Sequence, residues 1–384
     1  QMFKGLAETP PMGWNSWNTF GTDINEKLVM DTADLFISLG LKDVGYDYIV
    51  LDDGWMTKER DENGNMVADP KKFPNGMKAL VDYVHGKGLK FGLYSCAGAT
   101  TCAGFPGSRG HEYQDARTFA AWGVDFLKYD WCDTENLNAQ GAYETMRDAL
   151  AKAEYPILFS ICEWGDNEPW NWAKDIGQMW RVSGDITNCW DCEVNHGSWS
   201  SWGVWKIINM RKDIRFAAGP NHWNDLDMME VGNGMSTAED RSHFAMWNIL
   251  SSPLILGNDL RTANANTINL LTNTEVLSIN KDSLGIQGFR VSNKDDLEIW
   301  VKPLSNGSWA MAFINMSDID FDLNYDWQAS IIEDSIYNRK IDSKNKTYTV
   351  RDLFAHKDLV NSSQNLKTKI KKHDVLLILV EEKN

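Results

Sequence analysis

Short β-rich runs alternate with amphipathic helical stretches through roughly the first 280 residues. Strands are expected at Tyr48–Asp53, Lys90–Ser95, Phe126–Asp130, Ile157–Cys162, Met179–Val182 and Leu254–Leu256. Between them, Leu28, Leu35, Phe36 and Leu39 share one helical face that stops at Gly40. Met77, Leu80, Val81 and Val84 share another that stops at Gly86. Repeated strand–helix alternation predicts a parallel sheet covered by helices. An open doubly wound sheet would gather its polar strand ends at one switch point. Here polar residues close almost every strand: Asp52 and Asp53, Tyr94, Lys128 and Asp130, Glu163, Arg181, Asp225 and Asp227. That distribution predicts an α/β fold of the (β/α)8 TIM-barrel type, with its site on the C-terminal face.

After about Asn280 the helical period fades. Alternating runs at Leu297–Val301, Trp309–Ile314, Thr347–Val350 and Asp374–Val380 predict a small antiparallel β-sandwich. The expected division is a catalytic barrel over 1–285 and a β domain over 286–384. Four N-x-S/T triplets, at Asn306, Asn315, Asn345 and Asn361, arise readily by chance in Asn-rich strand surfaces. No internal repeat or low-complexity tract is present.

Composition narrows the classes. Of 384 residues, 43% are hydrophobic and 24% charged, which excludes disorder and fibrous structure. A net charge of −16 repels nucleic acid and anionic membranes. No apolar run approaches the roughly 18–20 residues of a membrane span; the longest is Val375–Val380. The chain opens on Gln1, so a removed leader and export are expected. Eighteen Trp against 11 Tyr suggests flat stacking surfaces as well as core. Among the six cysteines, Cys189 and Cys192 form a CxxC pair. It fits a local disulfide, two loop thiols, or half of a zinc site completed by Asp191 and His196.

Three runs carry candidate chemistry. In Phe126-Leu127-Lys128-Tyr129-Asp130-Trp131-Cys132, Lys128 and Asp130 point the same way from a strand. The ammonium should lower the carboxyl's pKa and keep it ionised, as a nucleophile requires; a plain structural ion pair is the alternative. In Arg181-Val182-Ser183-Gly184-Asp185, Gly184 should let the chain turn so that Asp185 swings over the pocket. A partly desolvated carboxyl beside another carboxylate suits a general acid, unless Asp185 only caps the next segment. Two such carboxyls on different strands are the apparatus of glycosidic bond cleavage. Asp52-Asp53-Gly54-Trp55 reads as a clamp on sugar hydroxyls, a divalent-metal site or two solvated acids. Metal is disfavoured, because no D-x-D spacing or His pair accompanies it. Glycine-rich dinucleotide, Walker and G-x-S-x-G motifs are all missing, which excludes those enzyme classes.

These runs resemble glycoside hydrolase family 27, the α-galactosidases and their relatives. The resemblance is carried in order by Pro10-Pro11-Met12-Gly13-Trp14-Asn15-Ser16-Trp17 and Leu51-Asp52-Asp53-Gly54-Trp55. The Lys128–Cys132 run, Ser160-Ile161-Cys162-Glu163-Trp164-Gly165, Gly184-Asp185-Ile186 and Trp223-Asn224-Asp225-Leu226-Asp227-Met228 follow. It implies Asp130 as nucleophile and Asp185 as acid/base of a retaining double displacement. Asp52 and Asp53 would hold the 4- and 6-hydroxyls of a terminal α-galactosyl residue, assisted by Lys128 and Tyr94, with Trp17 packed on the sugar. Arg181, Cys162, Glu163 and Trp164 would surround its 2-position, and Cys102, Asp227 and Met228 complete the substrate-facing set. Cys102 and Cys132 would form the bridge beside the nucleophile.

Bulk at Glu163 and Trp164 favours a 2-hydroxyl over an N-acetyl group, and Asp52 rather than Glu leaves room for C6. Both imply galactose over N-acetylgalactosamine or β-L-arabinopyranose. No cofactor or metal is implied. The alternatives are those two relatives' activities, or a galactose-binding protein without catalysis. Departures are Trp131 after the nucleophile and the lack of a cysteine near Thr19–Ile24 for a first-loop bridge. The second favours a bacterial source, and the removed leader expected at Gln1 implies a secreted or periplasmic enzyme. Oligomeric state is not legible in the sequence.

Overall fold

A computed structural model describes residues 3–210, 212–329 and 331–383. Eight parallel strands form its first sheet: β1 (Met12–Asn15), β2 (Tyr48–Leu51), β3 (Lys90–Cys96), β4 (Phe126–Asp130), β5 (Leu158–Cys162), β6 (Met179–Arg181), β7 (Trp223–Asp225) and β8 (Leu254–Leu256). Neighbours follow chain order, and β8 pairs with β1. The ring closes through a single parallel bridge, Met229 to Leu256. Helices α1 (Glu26–Ser38), α2 (Gly76–Gly86), α3 (Glu112–Trp122) and α4 (Ala139–Lys152) follow the first four strands. Then come α5 (Val204–Met210), α6 (Thr237–Ile249), α7 (Ala265–Leu271) and α8 (Thr274–Asn280). Where a fifth helix would cover β5 there are only short 3-10 turns, Pro169–Asn171 and Ala173–Asp175. The first of them starts on a proline, whose missing N–H suits the first helical position.

Side-chain alternation divides the barrel. Tyr48, Val50, Phe126, Leu158, Met179 and Trp223 form a buried apolar plug inside the ring. One strand-repeat higher, on the same face, stand Lys128, Ser160, Arg181 and Asp225. Leu127 and Tyr129 point outward, and Tyr129 packs edge-on against Tyr143 of α4. On α1, Leu28, Val29, Ala33 and Phe36 are buried, and the Asn25 side chain accepts the Leu28 N–H at 2.9 Å as N-cap. The expected strand Tyr48–Asp53 stops at Leu51 because the Asp52 and Asp53 amides bond Ser16 Oγ and Asp52 Oδ1 instead of the ladder. β7 was not foreseen as a strand, being three residues long with two of them polar.

The C-terminal part holds a six-stranded antiparallel sheet. Its order is β9 (Phe289–Lys294), β10 (Leu297–Pro303), β11 (Trp309–Asn315), β18 (Val375–Glu382), β15 (Tyr348–Asp352), β16 (Lys357–Asp358). Two antiparallel pairs accompany it: β12 (Phe321–Tyr325) with β17 (Leu366–Ile370), and the hairpin of β13 (Ile332–Asp334) with β14 (Arg339–Ile341). Every residue of β10 and β11 is buried. Ile299, Val301, Met311 and Phe313 face the β domain's own core, whereas Trp300, Ala310, Ala312 and Ile314 join the barrel's core. The last barrel helix ends at Asn280 and β9 begins at Phe289; the expected boundary at 285/286 lies in this connection. Across the junction Arg215 binds Asp334 at 2.7 Å, and Lys302 Nζ donates to Ser251 Oγ at 2.7 Å and the Ile279 carbonyl at 2.5 Å.

Candidate active site

Strand register brings the acidic ends together. Tyr94 pairs with Lys128, Cys96 with Asp130, and Asp130 with Cys162. Asp52, one residue past β2, therefore meets Lys128 across β3. Their ion pair is 2.8 Å long, and Asn15 Nδ2 donates to the same Asp52 oxygen at 2.7 Å. The structural partner of Lys128 is thus Asp52 and not Asp130. Asp53 accepts N–H bonds from Gly54 at 2.7 Å and Ala103 at 2.9 Å. Burial, with Asp52 adding repulsion, raises its pKa despite those donors. Tyr94 lies buried beneath Lys128, with the ammonium 5.5 Å from its ring centre and its hydroxyl 3.4 Å from Cys102 Sγ.

Asp130 is 6% exposed and accepts the Trp131 N–H at 2.9 Å. Burial pushes its carboxyl up to about 6; Lys128 opposes that, and the nearby Asp185 charge adds to it. The sequence expectation of a lowered value fails because the ammonium's effect is smaller than the loss of water. Lys128 itself faces the same contest. Burial alone would lower it, but Asp52 and Asp130 outweigh that and hold it above its ordinary value.

Asp185 is the more open carboxyl, with 36% of its side chain exposed, and it lies 3.0 Å from Arg181 Nη2. The same nitrogen contacts Asp227 at 2.8 Å and the Ser183 carbonyl at 3.1 Å. Gly184 does not use the positive-φ freedom expected of it. It leaves room instead, since a Cβ there would lie 3.0 Å from Trp202 Nε1. Asp227 has φ +85° and is tied on both oxygens, by Met228 N–H at 2.7 Å and Ile186 N–H at 2.8 Å. Burial is the main reason its carboxyl is pushed up to about 7. Cys162 is a buried free thiol near Arg181, and Met228 lines the barrel interior with it.

The structure joins Cys102 to Cys132, and their sulfurs lie within 4.8 Å of the Asp130 carboxylate. Cys189 and Cys192 are joined too, which removes both thiolates that a zinc site would need. Trp17 is half-buried in a single helical turn, Trp17–Phe20, just beyond β1, and lines the cleft that contains Asp185. Glu163 does not line the site. It is fully buried and receives N–H bonds from Gly165 at 3.0 Å and Asn167 at 2.6 Å, so its carboxylate caps its own loop. Trp164, at φ +58°, is half-buried beside it. Trp131 turns away from the barrel axis and stacks on Tyr143 at 5.6 Å and 22°. Sequence reasoning missed Asn15, which orients Asp52. The signal was the alternation in Trp14-Asn15-Ser16, which sends Asn15 inward where Trp14 goes out.

The family model described as "Alpha galactosidase A" matches residues 9–282, and "Alpha galactosidase C-terminal beta sandwich domain" matches 294–380. The chain belongs to glycoside hydrolase family 27, the α-galactosidase family. Among family relatives, alpha-galactosidase A of Cellvibrio japonicus (strain Ueda107) is 52% identical over 378 residues, covering 98% of this chain and 93% of that protein. The crystal structure of α-galactosidase I from Mortierella vinacea superposes with a TM-score of 0.92 at 38% identity, over 98% of each chain. The Saccharomyces cerevisiae enzyme solved with raffinose does so at 0.89 and 32%, over 99% of each. The expected (β/α)8 barrel with an antiparallel β-sandwich is thus the family's architecture, and this chain has it.

Proposed function

We propose that the protein is a retaining α-galactosidase that releases terminal α-D-galactosyl residues from oligosaccharides, galactomannan or glycoconjugates. The observation that carries this reading is the unequal carboxyl pair at the barrel mouth. One is buried on a disulfide and held by a single backbone N–H; the other is open and touches a guanidinium. In the first step an Asp130 oxygen attacks C1 while Asp185 gives its proton to the glycosidic oxygen. In the second, Asp185 takes a proton from water, which attacks C1 and frees Asp130. Esterification of Asp130 removes the repulsion between the two carboxylates, so Asp185 meets a neutral neighbour when it must act as base.

Asp52 and Asp53 supply oriented acceptors for the 4- and 6-hydroxyls, and the Asn15 and Lys128 contacts stop Asp52 from turning. Bulk against a 2-acetamido group comes in this reading from Cys162, Trp164 and Arg181, because Glu163 is engaged with its own loop. Two disulfides suit an oxidising compartment and support export. The Cellvibrio japonicus relative supports a bacterial source. Among the described residues, no helix is long and apolar enough to cross a membrane.

The test is initial rates on p-nitrophenyl α-D-galactoside, α-N-acetylgalactosaminide and β-L-arabinopyranoside, with wild type and Asp130→Asn. A galactoside rate that leads the other two, vanishes in the variant and releases α-galactose first is expected. Equal rates in the variant, or β-galactose as first product, would overturn the reading.

A further inference from the structure

Asp227 has a backbone rarely seen outside glycine, at φ +85°, and such strain persists only where the surroundings over-determine it. Three hydrogen bonds hold it there. The Asp227 N–H donates to Asp225 Oδ1 at 2.9 Å, the Leu226 N–H to Ser252 Oγ at 3.1 Å, and the Trp247 indole N–H to the Asp227 carbonyl at 2.9 Å. Two of these partners, Trp247 and Ser252, come from α6 and the turn after it.

Trp247 shares a helix face with His243, four residues earlier, and the two rings meet edge-on at 4.1 Å. Burial pushes the His243 imidazole down to about 3, so it is neutral, and its Nε2 accepts the Glu230 N–H at 2.9 Å. One helix face thus grips the Asp227–Glu230 segment at both ends. The helix is itself fixed. It starts on a capping box of Ser236 and Glu239, and every residue from Ser242 to Ile249 is buried. From the β domain, the His373 carbonyl accepts the Ser242 hydroxyl at 2.6 Å, and Asp374 accepts from Arg241 Nε at 3.0 Å.

The other end of Asp227 reaches the acid/base. Its carboxylate accepts the Ile186 N–H at 2.8 Å and lies 2.8 Å from Arg181 Nη2, which is 3.0 Å from Asp185 Oδ1. β6 ends at Arg181, so the barrel ladder does not hold Asp185. Asp227 reaches it by two routes, through the next residue in the chain and through its cation.

We infer that Trp247 and Ser252 are positioning residues for the acid/base: they hold the Asp227 backbone so that its carboxylate places Ile186 and Arg181, and through them Asp185. The inference rests on the α-galactosidase reading and extends its machinery to the helix between barrel and β domain. Phe at position 247 keeps the ring but leaves the buried Asp227 carbonyl without its indole donor. The strained backbone then relaxes and draws the carboxylate away from Ile186.

The effect is confined to proton transfer. When a sugar leaves, the C1–O bond breaks, its electron pair goes to the leaving oxygen, and that oxygen takes the Asp185 proton; fluoride leaves as an anion without one. The experiment compares kcat/KM for a galactosyl-α-1,6-glucose disaccharide with that for α-D-galactosyl fluoride, in variants whose folding is checked by thermal melting. The disaccharide-to-fluoride ratio should fall about tenfold in Trp247→Phe and about threefold in Ser252→Ala, with Asp185→Ala as the reference for full loss. Azide needs no base to attack C1 of the galactosyl ester; it forms galactosyl azide and frees the Asp130 carboxylate. It should therefore restore part of the lost kcat on the fluoride. A merely structural role lowers both substrates together and gives azide nothing to restore, and that result in folded variants overturns the assignment. Ser252→Ala removes a single hydroxyl and carries the test where Trp247→Phe does not fold. If Asp185→Ala leaves the ratio unchanged, the acid/base reading itself fails and takes the positioning role with it.

Discussion

Removing the Lys128 charge should move the acid limb of the pH profile upward by one to two units. As the proposed nucleophile, Asp130 must be ionised in the free enzyme, and burial places its carboxyl at about 6 even with Lys128 beside it. The two residues are i and i+2 on β4, so the charges stand roughly 7 Å apart on one face. At an effective dielectric of about 20 the attraction is about 2.4 kcal/mol, or about 1.7 pH units. Lys128→Met removes that attraction and leaves Asp52 without its ammonium, which adds repulsion of the same sign. Plots of log kcat/KM against pH should therefore bend near pH 6 in wild type and near pH 7.5–8 in the variant. kcat/KM is the right quantity because it reports the free enzyme. Lys128→Arg keeps the charge and should bend close to wild type. A limb that stays in place in Lys128→Met, or a wild-type limb near the ordinary carboxylate value of about 4, would refute the electrostatic account.

Three further outcomes are expected. Burial lowers Lys302 from 10.5 to about 7, so its cost to folding is complete below pH 7 and gone above about 10.5. Lys302→Met should thus raise the thermal midpoint at pH 6.5 by removing about 4–5 kcal/mol of cost, less about 1–3 for the bonds to Ser251 and Ile279; a gap that does not shrink towards pH 10 contradicts this. Arg215→Ala strands a fully buried Asp334 at the domain junction and should cost about 3–5 kcal/mol in urea unfolding, whereas a loss under about 1 would show the pair to be dispensable. A Cβ on Gly98 would lie 1.9 Å from the Cys132 carbonyl, so Gly98→Ala should displace the bridge beside Asp130 and depress kcat, and wild-type kcat in a folded variant would show that the bridge's position is immaterial.

What was legible in the sequence is what depends on one element at a time. The inward face of Phe126, Lys128 and Asp130 follows from two-residue alternation, and β4 and β8 begin and end at the residues expected of them. The buried face of α2 matches its four-residue pattern in full. What escaped depends on several elements at once. The Asp52–Lys128 pair needs the register of three strands, and within one strand Asp130 looked the nearer partner. The rise of the Asp130 carboxyl needs the volume of protein around it; a string of residues shows the neighbouring charge but not the absent water. Glu163 was assigned to the pocket from its place in a motif, whereas Gly165 and Asn167 turn amides back onto it. In the β domain, β10 and β11 read as half-exposed strands because the barrel that buries their second face lies far off in sequence.

The distribution of cations at the barrel mouth bears on catalysis directly. Asp52, Asp53, Asp130, Asp185, Asp225 and Asp227 gather there, and among the described residues the cations between them are Lys128 and Arg181. Each cation is spent on a carboxylate other than the proposed nucleophile: Lys128 on Asp52, and Arg181 on Asp185 and Asp227. Among the described residues Asp130 has no direct ion pair, only the Trp131 N–H and the field of Lys128. Such an excess of negative charge gains little from an uncharged galactoside in its ground state. It gains most when positive charge grows on C1 and the ring oxygen, as in an oxocarbenium-like transition state. The cost of burying these carboxylates, with mutual repulsion as a smaller addition, is carried by the fold, in the raised values of Asp53, Asp130 and Asp227, before substrate arrives. An arrangement that holds poorly solvated carboxylates in the resting site and stabilises them only as C1 becomes cationic lowers the barrier without tightening substrate binding. That is the electrostatic signature of a glycosidase, and a pocket selected only to hold galactose would have no use for it.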